Sequence, residues 1–209
     1  MQSGLRKVAR RSQADRSSES ELRLINAAAT VLVEEGYAAL TFDRVGEVSG
    51  FSRGLASQKF GSKDGMVLAV VAFLSDRLDA RYVKGMEAAA DPLDEILTYL
   101  RIFLDEIEVD RLSLSYFVLL AATVANKSPI QPAFVDAHQK VKKSLASMIV
   151  RGQNAGIIRA DIDPDTTALS IGAFQLGVAM QLRLDPALDV KRISASALPM
   201  IRASLASGG

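Results

Sequence analysis

Apolar residues recur at three- and four-residue steps along almost the whole chain, as in Leu22, Ile25, Ala28/Ala29 and Leu32, and no segment alternates with period two for long enough to make a strand. This periodicity predicts an all-α fold of about nine helices. Ser18 followed by Glu21 reads as a capping box, and Gly36 stands where a helix end favours a left-handed residue, so the first helix is expected from about Glu19 to Glu35. Residues before Ser17 read as disordered. Turn and helix-start signals follow at Gly50, Gly61-Ser62, Asp91-Pro92, Ser128 through Pro132, Asp163-Pro164 and Asp185-Pro186. They crowd four short helices into residues 19–83 and leave longer ones beyond residue 91, which suits a bundle with its own core. Pro199, inside the last apolar-periodic stretch, is expected to kink or interrupt it.

Composition excludes several kinds of chemistry. Of 209 residues, 49% are apolar, so a buried core is available. Basic and acidic residues nearly cancel, 25 against 24, so a nucleic acid or anionic membrane must be met by a local patch rather than a global field. The absence of cysteine rules out disulfides, thiolate metal sites and a cysteine nucleophile, and His138, the single histidine, rules out a multi-histidine metal site. No metal, cofactor or catalytic residue is expected. The N-terminal residues Leu5-Arg6-Lys7-Val8 and Arg10-Arg11 lack the apolar stretch of a secretory signal. The uncharged run Thr166 to Leu182 falls short of the roughly 20 apolar residues that span a bilayer, and reads as a buried or interfacial helix. A cytoplasmic protein with no membrane partner is expected.

The segment Thr41 to Phe60 reads as two short helices joined by a tight turn. Thr41 and Ser52 each stand where a side-chain oxygen can accept an orphan N–H at a helix start, and Gly50 supplies the positive φ of the turn. Val45, Val48, Phe51, Ala56 and Phe60 form an internal apolar set, and Gly46 leaves no side chain where the second helix crosses the first. That combination describes a helix-turn-helix. With Ala56 and Phe60 inward, Arg53, Gly54, Ser57 and Gln58 lie on the opposite face. Arginine can clamp the two major-groove acceptors of guanine, glutamine can pair with adenine, and Gly54 permits close approach to a duplex. Ser57 and Lys59 add base or phosphate contacts. A helical hairpin with a solvated polar face is the plainer alternative for such a segment taken alone.

Gly61-Ser62-Lys63-Asp64-Gly65-Met66 starts the next helix with Ser62 as cap and a lysine in its first turn, where a cation is misplaced unless an anion faces it. A DNA phosphate would be that anion; Asp64 would neutralise the lysine locally instead. Over roughly residues 19–80 the chain resembles the TetR family of bacterial transcriptional regulators. The matching residues are Glu35-Gly36-Tyr37, Thr41-Phe42-Asp43-Arg44-Val45, Ser49-Gly50-Phe51-Ser52-Arg53-Gly54, and Phe60 to Met66. The resemblance implies a homodimer with an N-terminal DNA-binding domain, a C-terminal helical domain for dimerisation and ligand sensing, and a double-stranded operator as partner. It places Thr41, Arg44, Ser52, Arg53, Gly54, Ser57, Gln58, Lys59 and Lys63 as candidate DNA-binding residues. Two positions depart from the family pattern: Ser57 stands where many members have tyrosine, and Lys59 where they have an aromatic residue or histidine. The expected division is a basic arm at 1–18, a DNA-binding domain at 19–80 with its motif at 41–60, and an effector-binding and dimerisation domain at 81–209. Residues 1–66 carry 10 basic and 8 acidic side chains, with the excess in Arg6, Lys7, Arg10 and Arg11, which either add phosphate or minor-groove contacts or form an ordinary solvated tail.

Downstream, residues 152–168 look like the turn that precedes the family's dimer helices. By that resemblance, the helix carrying Ala168, Ile171, Gly172, Gln175, Leu176, Ala179 and Leu182 and the final one, carrying Ile201 and Leu205, form a four-helix dimer interface; filling a monomer core is the alternative. Tyr99, Phe103, Tyr116, Phe117, Phe134, His138, Met148 and Gln175 are candidates for an apolar effector cavity with a few polar handles, and each equally suits ordinary core. His138, beside Lys140, Lys142 and Lys143, better suits a solvated or structurally paired role. An all-α enzyme lacks support, since no Gly-rich phosphate loop and no acid–histidine pattern at catalytic spacing occurs. A helical small-molecule carrier would leave the Arg/Gln-bearing helix without a role. The sequence therefore predicts a ligand-responsive repressor that binds a palindromic operator as a dimer.

Overall fold

The computed structural model describes residues 13–126 and 128–208, so Arg6, Lys7, Arg10 and Arg11 of the expected basic arm lie outside the described residues. Nine α-helices and two 3-10 turns make up the described chain: α1 (Gln13–Glu34), α2 (Phe42–Ser49), α3 (Arg53–Phe60), α4 (Lys63–Met86), α5 (Pro92–Val109), α6 (Ser115–Asn126), α7 (Gln131–Asn154), α8 (Pro164–Leu184) and α9 (Val190–Leu205). The 3-10 turns are Tyr37–Ala39 and Arg111–Leu114.

Most helix starts obey their local signals. Asp91, Asp163 and Asp189 each accept an amide N–H of the first turn, from Asp94, Thr166 and Arg192 at 2.8, 2.7 and 3.0 Å. Pro92 and Pro164 fill the following position, where the missing N–H costs nothing. The first helix departs from expectation: it begins at Gln13, and Ser18 lies inside it rather than capping it. Nor are the first four helices all short, because α1 and α4 have 22 and 24 residues and only α2 and α3 have eight. Pro199 does not interrupt α9. It sits on the exposed side, where water can serve the Ala195 carbonyl that its ring leaves without an amide partner.

Three apolar clusters hold the helices together. The first joins Leu24, Ala28 and Leu32 of α1 to Val45, Ala56, Met66 and Val70, and recruits Leu119, Ile130 and Phe134 from beyond residue 91. The second packs Ile96 and Leu100 of α5 against Leu145 and Ile149 of α7, Ile171 of α8 and Leu205 of α9. The third gathers Leu104, Ile107, Val178, Leu182 and Val190. Helix α4 serves two of them, with Met66 to Leu74 in the first and Tyr82 in the second. Its middle turns are fixed by charge instead: Arg77 reaches the fully buried Glu106 and Asp110 of the α5 end, and Arg81 also pairs with Glu106. A second tie spans the fold, where the Arg183 guanidinium of α8 donates to the Val33 carbonyl at the end of α1, 2.8 Å away.

The crossing of α2 and α3 depends on Gly46. A Cβ there would stand 2.9 Å from the Phe51 carbonyl oxygen and 3.1 Å from the Arg53 amide nitrogen, both backbone atoms that cannot swing aside. Glycine costs a helix interior up to about 1 kcal/mol, and overpacking a rigid contact costs about 1–3 kcal/mol, so steric exclusion outweighs propensity. Gly46→Val is expected to destabilise the chain by about 2 kcal/mol, read as a lower urea midpoint at unchanged slope; an unaltered midpoint would refute the crossing as described.

Candidate nucleic-acid interface

Each of the three helices around the motif starts on a hydroxyl. Thr41 Oγ1 accepts the Arg44 amide N–H at 3.1 Å, Ser52 Oγ accepts that of Leu55 at 3.2 Å, and Ser62 Oγ accepts that of Gly65 at 3.0 Å. A capping hydroxyl uses a lone pair and keeps its proton to donate outward, and all three residues are exposed. Gly50 closes α2 at φ 74°, the left-handed region that glycine occupies without strain. The apolar set is confirmed for Val45 and Ala56, which are fully buried, and for Phe51 and Phe60, which pack half-buried against the first cluster. Val48 is the exception and faces solvent.

This packing turns one side of α3 outward. Arg53, Gly54 and Gln58 are exposed, and Ser57 is half-exposed on the same helix. Arg53 leans on Asp43 of α2, Nε to Oδ2 3.6 Å. The other cations singled out by the sequence are engaged within the molecule. Arg44 donates through Nε to Glu35 at 2.9 Å and through Nη1 to Glu47 at 2.8 Å, and these bonds hold the Glu35 carboxyl below the usual carboxylate range. Lys59 turns away from the outer face of α3 and back to α1, where its Nζ lies 2.8 Å from Ser17 Oγ and 3.1 Å from Glu21 Oε2. Lys63 donates to the Tyr37 carbonyl at 2.9 Å and sits 4.1 Å over the Tyr37 ring, so partial burial pulls its pKa down.

Sequence reasoning missed two of these supports. Arg23 donates to the Ser49 carbonyl at 2.8 Å, satisfying a helix-end acceptor, and covers the Phe51 ring at 4.6 Å. Tyr37 anchors Lys63. Only Arg44 and Glu47, three residues apart on one helix, carried a local signal for pairing.

The C-terminal candidates separate. Tyr116 and Phe134 pack with the first cluster, Tyr99 and Met148 with the second, and Phe103 and Phe117 with the third. Ring contacts nonetheless chain five of them: Phe103 to Phe117 at 6.0 Å, Phe117 to Tyr116 at 5.4 Å, and Tyr116 to Phe134 at 5.3 Å and to His138 at 6.0 Å. His138 Nδ1 lies 2.9 Å from the Phe134 carbonyl. The Tyr99 hydroxyl donates to Gln175 Oε1 at 3.3 Å within the core, and Tyr82 stacks on Tyr99 at 4.4 Å. Burial pushes the Tyr99 phenol up, and that of Tyr116 up to about 12. A groove of about 360 Å³ opens elsewhere, lined by Phe174, Gly177, Val178, Gln181, Leu188 and Ile193, none of them an effector-cavity candidate.

The expected dimer face needs correction. Ala168, Ile171, Gln175, Ala179, Leu182 and Leu205 are all at most 8% exposed within the protomer, where they pack in its own core and leave little surface for a partner. Gly172 and Ile201 are half-exposed. The large apolar side chains turned to solvent are Leu169 at 62%, Leu176 at 37% and Leu184 at 78% on α8 and Met200 at 68% on α9, and of these Leu176 alone belongs to the expected set. Apolar residues run all round α8, so periodicity had no single face to select.

Among the described residues, no helix is long and apolar enough to cross a membrane, and no group of three His, Asp or Glu side chains is placed to hold a metal ion. Residues 24–70 match the family model for bacterial regulatory proteins of the tetR family. The chain is 32% identical over 79 residues to the HTH-type transcriptional regulator BetI of Rhizobium meliloti (strain 1021), covering 38% of this chain and 39% of that one. It is 33% identical over 118 residues to the HTH-type transcriptional regulator CymR of Pseudomonas putida, covering 54% and 56%. The matched segments thus span less than two thirds of either relative. The whole fold superimposes on a TetR transcriptional regulator from Chloroflexus aurantiacus with a TM-score of 0.80 at 18% identity, covering 93% of this chain and 100% of that one. Motif geometry and family model agree that residues 24–70 are a DNA-binding segment of the tetR family of bacterial regulatory proteins, and the chain as a whole has the fold of TetR-family regulators.

Proposed function

We propose that the chain is a sequence-specific DNA-binding transcriptional regulator, a ligand-responsive repressor that binds a palindromic operator as a homodimer. The observation that carries this reading is the outward face of α3, where Arg53 and Gln58 stand exposed on a helix capped at its N-terminus by Ser52. Gly54 adds to it: a Cβ there would meet nothing nearer than Ser52 Oγ at 3.7 Å, so no contact inside the protomer calls for glycine. A duplex pressed against α3 does. Arg53 and Gln58 read base edges, while Thr41, Ser52 and Ser57 donate to phosphates. Lys59, Arg44 and Lys63 reach phosphates after exchanging their internal partners. The relatives' names, HTH-type transcriptional regulators, favour the same activity.

A two-fold dimer gives the palindrome its reason, since two reading helices must meet successive major grooves on one side of the duplex. The exposed apolar side chains Leu169, Leu176 and Leu184 of α8 and Met200 of α9 support these two helices as the paired surface, because large apolar groups left in water favour a partner that covers them. The chain divides functionally into a basic arm at 1–18, a DNA-binding unit at 19–80 and a unit at 81–209 that pairs protomers and takes a small-molecule effector. Tyr99 and Gln175 supply that effector's polar contacts, and binding shifts the spacing of the twin reading helices in proportion to its preference for one spacing. The protein works in the cytoplasm, on the nucleoid, and carries out no catalysis.

Selection of bound sequences from random duplexes tests the reading, with recovery of an inverted repeat as the expected result and no enrichment as the result against it. On the recovered operator, Arg53→Ala should cost about 1–3 kcal/mol and erase preference at one base pair of each half-site while leaving the others; equal weakening on all sequences would remove Arg53 as a base reader. Leu169→Arg combined with Leu184→Arg should convert the dimer to monomers in sedimentation and lower operator affinity roughly tenfold or more. A dimer that persists would place the pairing surface elsewhere.

A further inference from the structure

The charge of the reading unit runs against its partner. Residues 17–66 carry five basic and seven acidic side chains, a net of −2. All five cations are engaged internally. Arg23 and Lys63 are held by carbonyls and rings. The other three meet carboxylates: Arg44 those of Glu35 and Glu47, Arg53 that of Asp43, and Lys59 that of Glu21. Glu21, Asp43 and Glu47 are themselves exposed, on the same surface as the cations they meet.

Binding to duplex irrespective of sequence is driven by counter-ions that leave the phosphates when protein cations replace them. A phosphate that takes Arg44 here must first displace Glu35 and Glu47, and the displaced carboxylates remain covalently attached a few ångströms away. They repel the phosphate or recapture a salt cation, and either outcome cancels the gain. We infer that Glu21, Glu35, Asp43 and Glu47 act as built-in counter-ions that suppress attachment of this face to generic duplex, so that retention on DNA depends on base contacts. The inference rests on the DNA-binding reading above and adds to it which side chains hold sequence-independent binding down.

The test uses full-length protein and a fluorescent duplex of random sequence, titrated across a range of salt concentrations. Glu35→Gln with Glu47→Gln, and separately Glu21→Gln, remove charge with little change of shape, and a native melting curve checks each fold. Glu21→Gln should bind the random duplex roughly fivefold more tightly at low salt, the worth of one like charge about 4 Å away in water, and the double variant more tightly still. The plot of log affinity against log salt should steepen by about 0.9 per liberated cation. Arg44→Gln should cancel the gain of the Glu35→Gln, Glu47→Gln pair and leave that of Glu21→Gln intact. Natively melting variants with an unchanged slope, or with weaker binding, would overturn the inference while leaving the regulator reading in place if the selected operator is still bound. Wild-type protein that binds neither random nor selected duplex would overturn both. If the double variant does not fold, Glu21→Gln decides alone.

Discussion

What α3 can present outward depends on how closely α2 lets it lie. Two helices of eight residues are too short to be stable in water alone, and here they are held by backbone contact at Gly46, by hydroxyl caps at both starts and by the Val45 and Ala56 side chains sunk in the first cluster. The caps act at the helix starts, and the glycine contact and the buried side chains act on the inner side of α3. Its outer side is left with polar side chains that the protomer does not need for its own packing, and that surplus is what makes the surface available to a partner.

Features that reside within a few residues of sequence were legible before any coordinates. The caps at Thr41, Ser52, Ser62, Asp91 and Asp163 and the turn at Gly50 are local bargains between one side chain and one backbone group, and the all-helical class follows from a period that runs the length of the chain. Features that join distant residues were not. Ser18 and Glu21 have the spacing of a capping box, yet Ser17 and Glu21 are taken by Lys59, 42 and 38 residues away, and the helix continues past them to Gln13. The same reason hid the engagement of Lys63 by Tyr37 and of Glu106 by Arg77 and Arg81: no local periodicity links residues so far apart in sequence.

The C-terminal half shows a different kind of ambiguity. On α8, apolar side chains point both into the protomer and out of it, so most of the residues expected on a partner surface are buried inside, while Gly172 and Leu176 are not. Four of the aromatic residues chosen as a cavity lining, Phe103, Phe117, Tyr116 and Phe134, run as a string of ring contacts from the third cluster to the first, with His138 against Tyr116. Types of side chain were read correctly; which neighbour each would meet was a property of the assembled bundle.

The first cluster has a practical bearing on protein engineering. Leu119, Ile130 and Phe134 belong to it, although all three lie well beyond residue 80, where the DNA-binding unit ends. A chimera that grafts residues 19–80 onto a foreign body would leave a hole where those three side chains had been, and would loosen the very scaffold that aims the transplanted helix. A workable graft carries α6 and the start of α7 along with it, or rebuilds their apolar surface on the recipient.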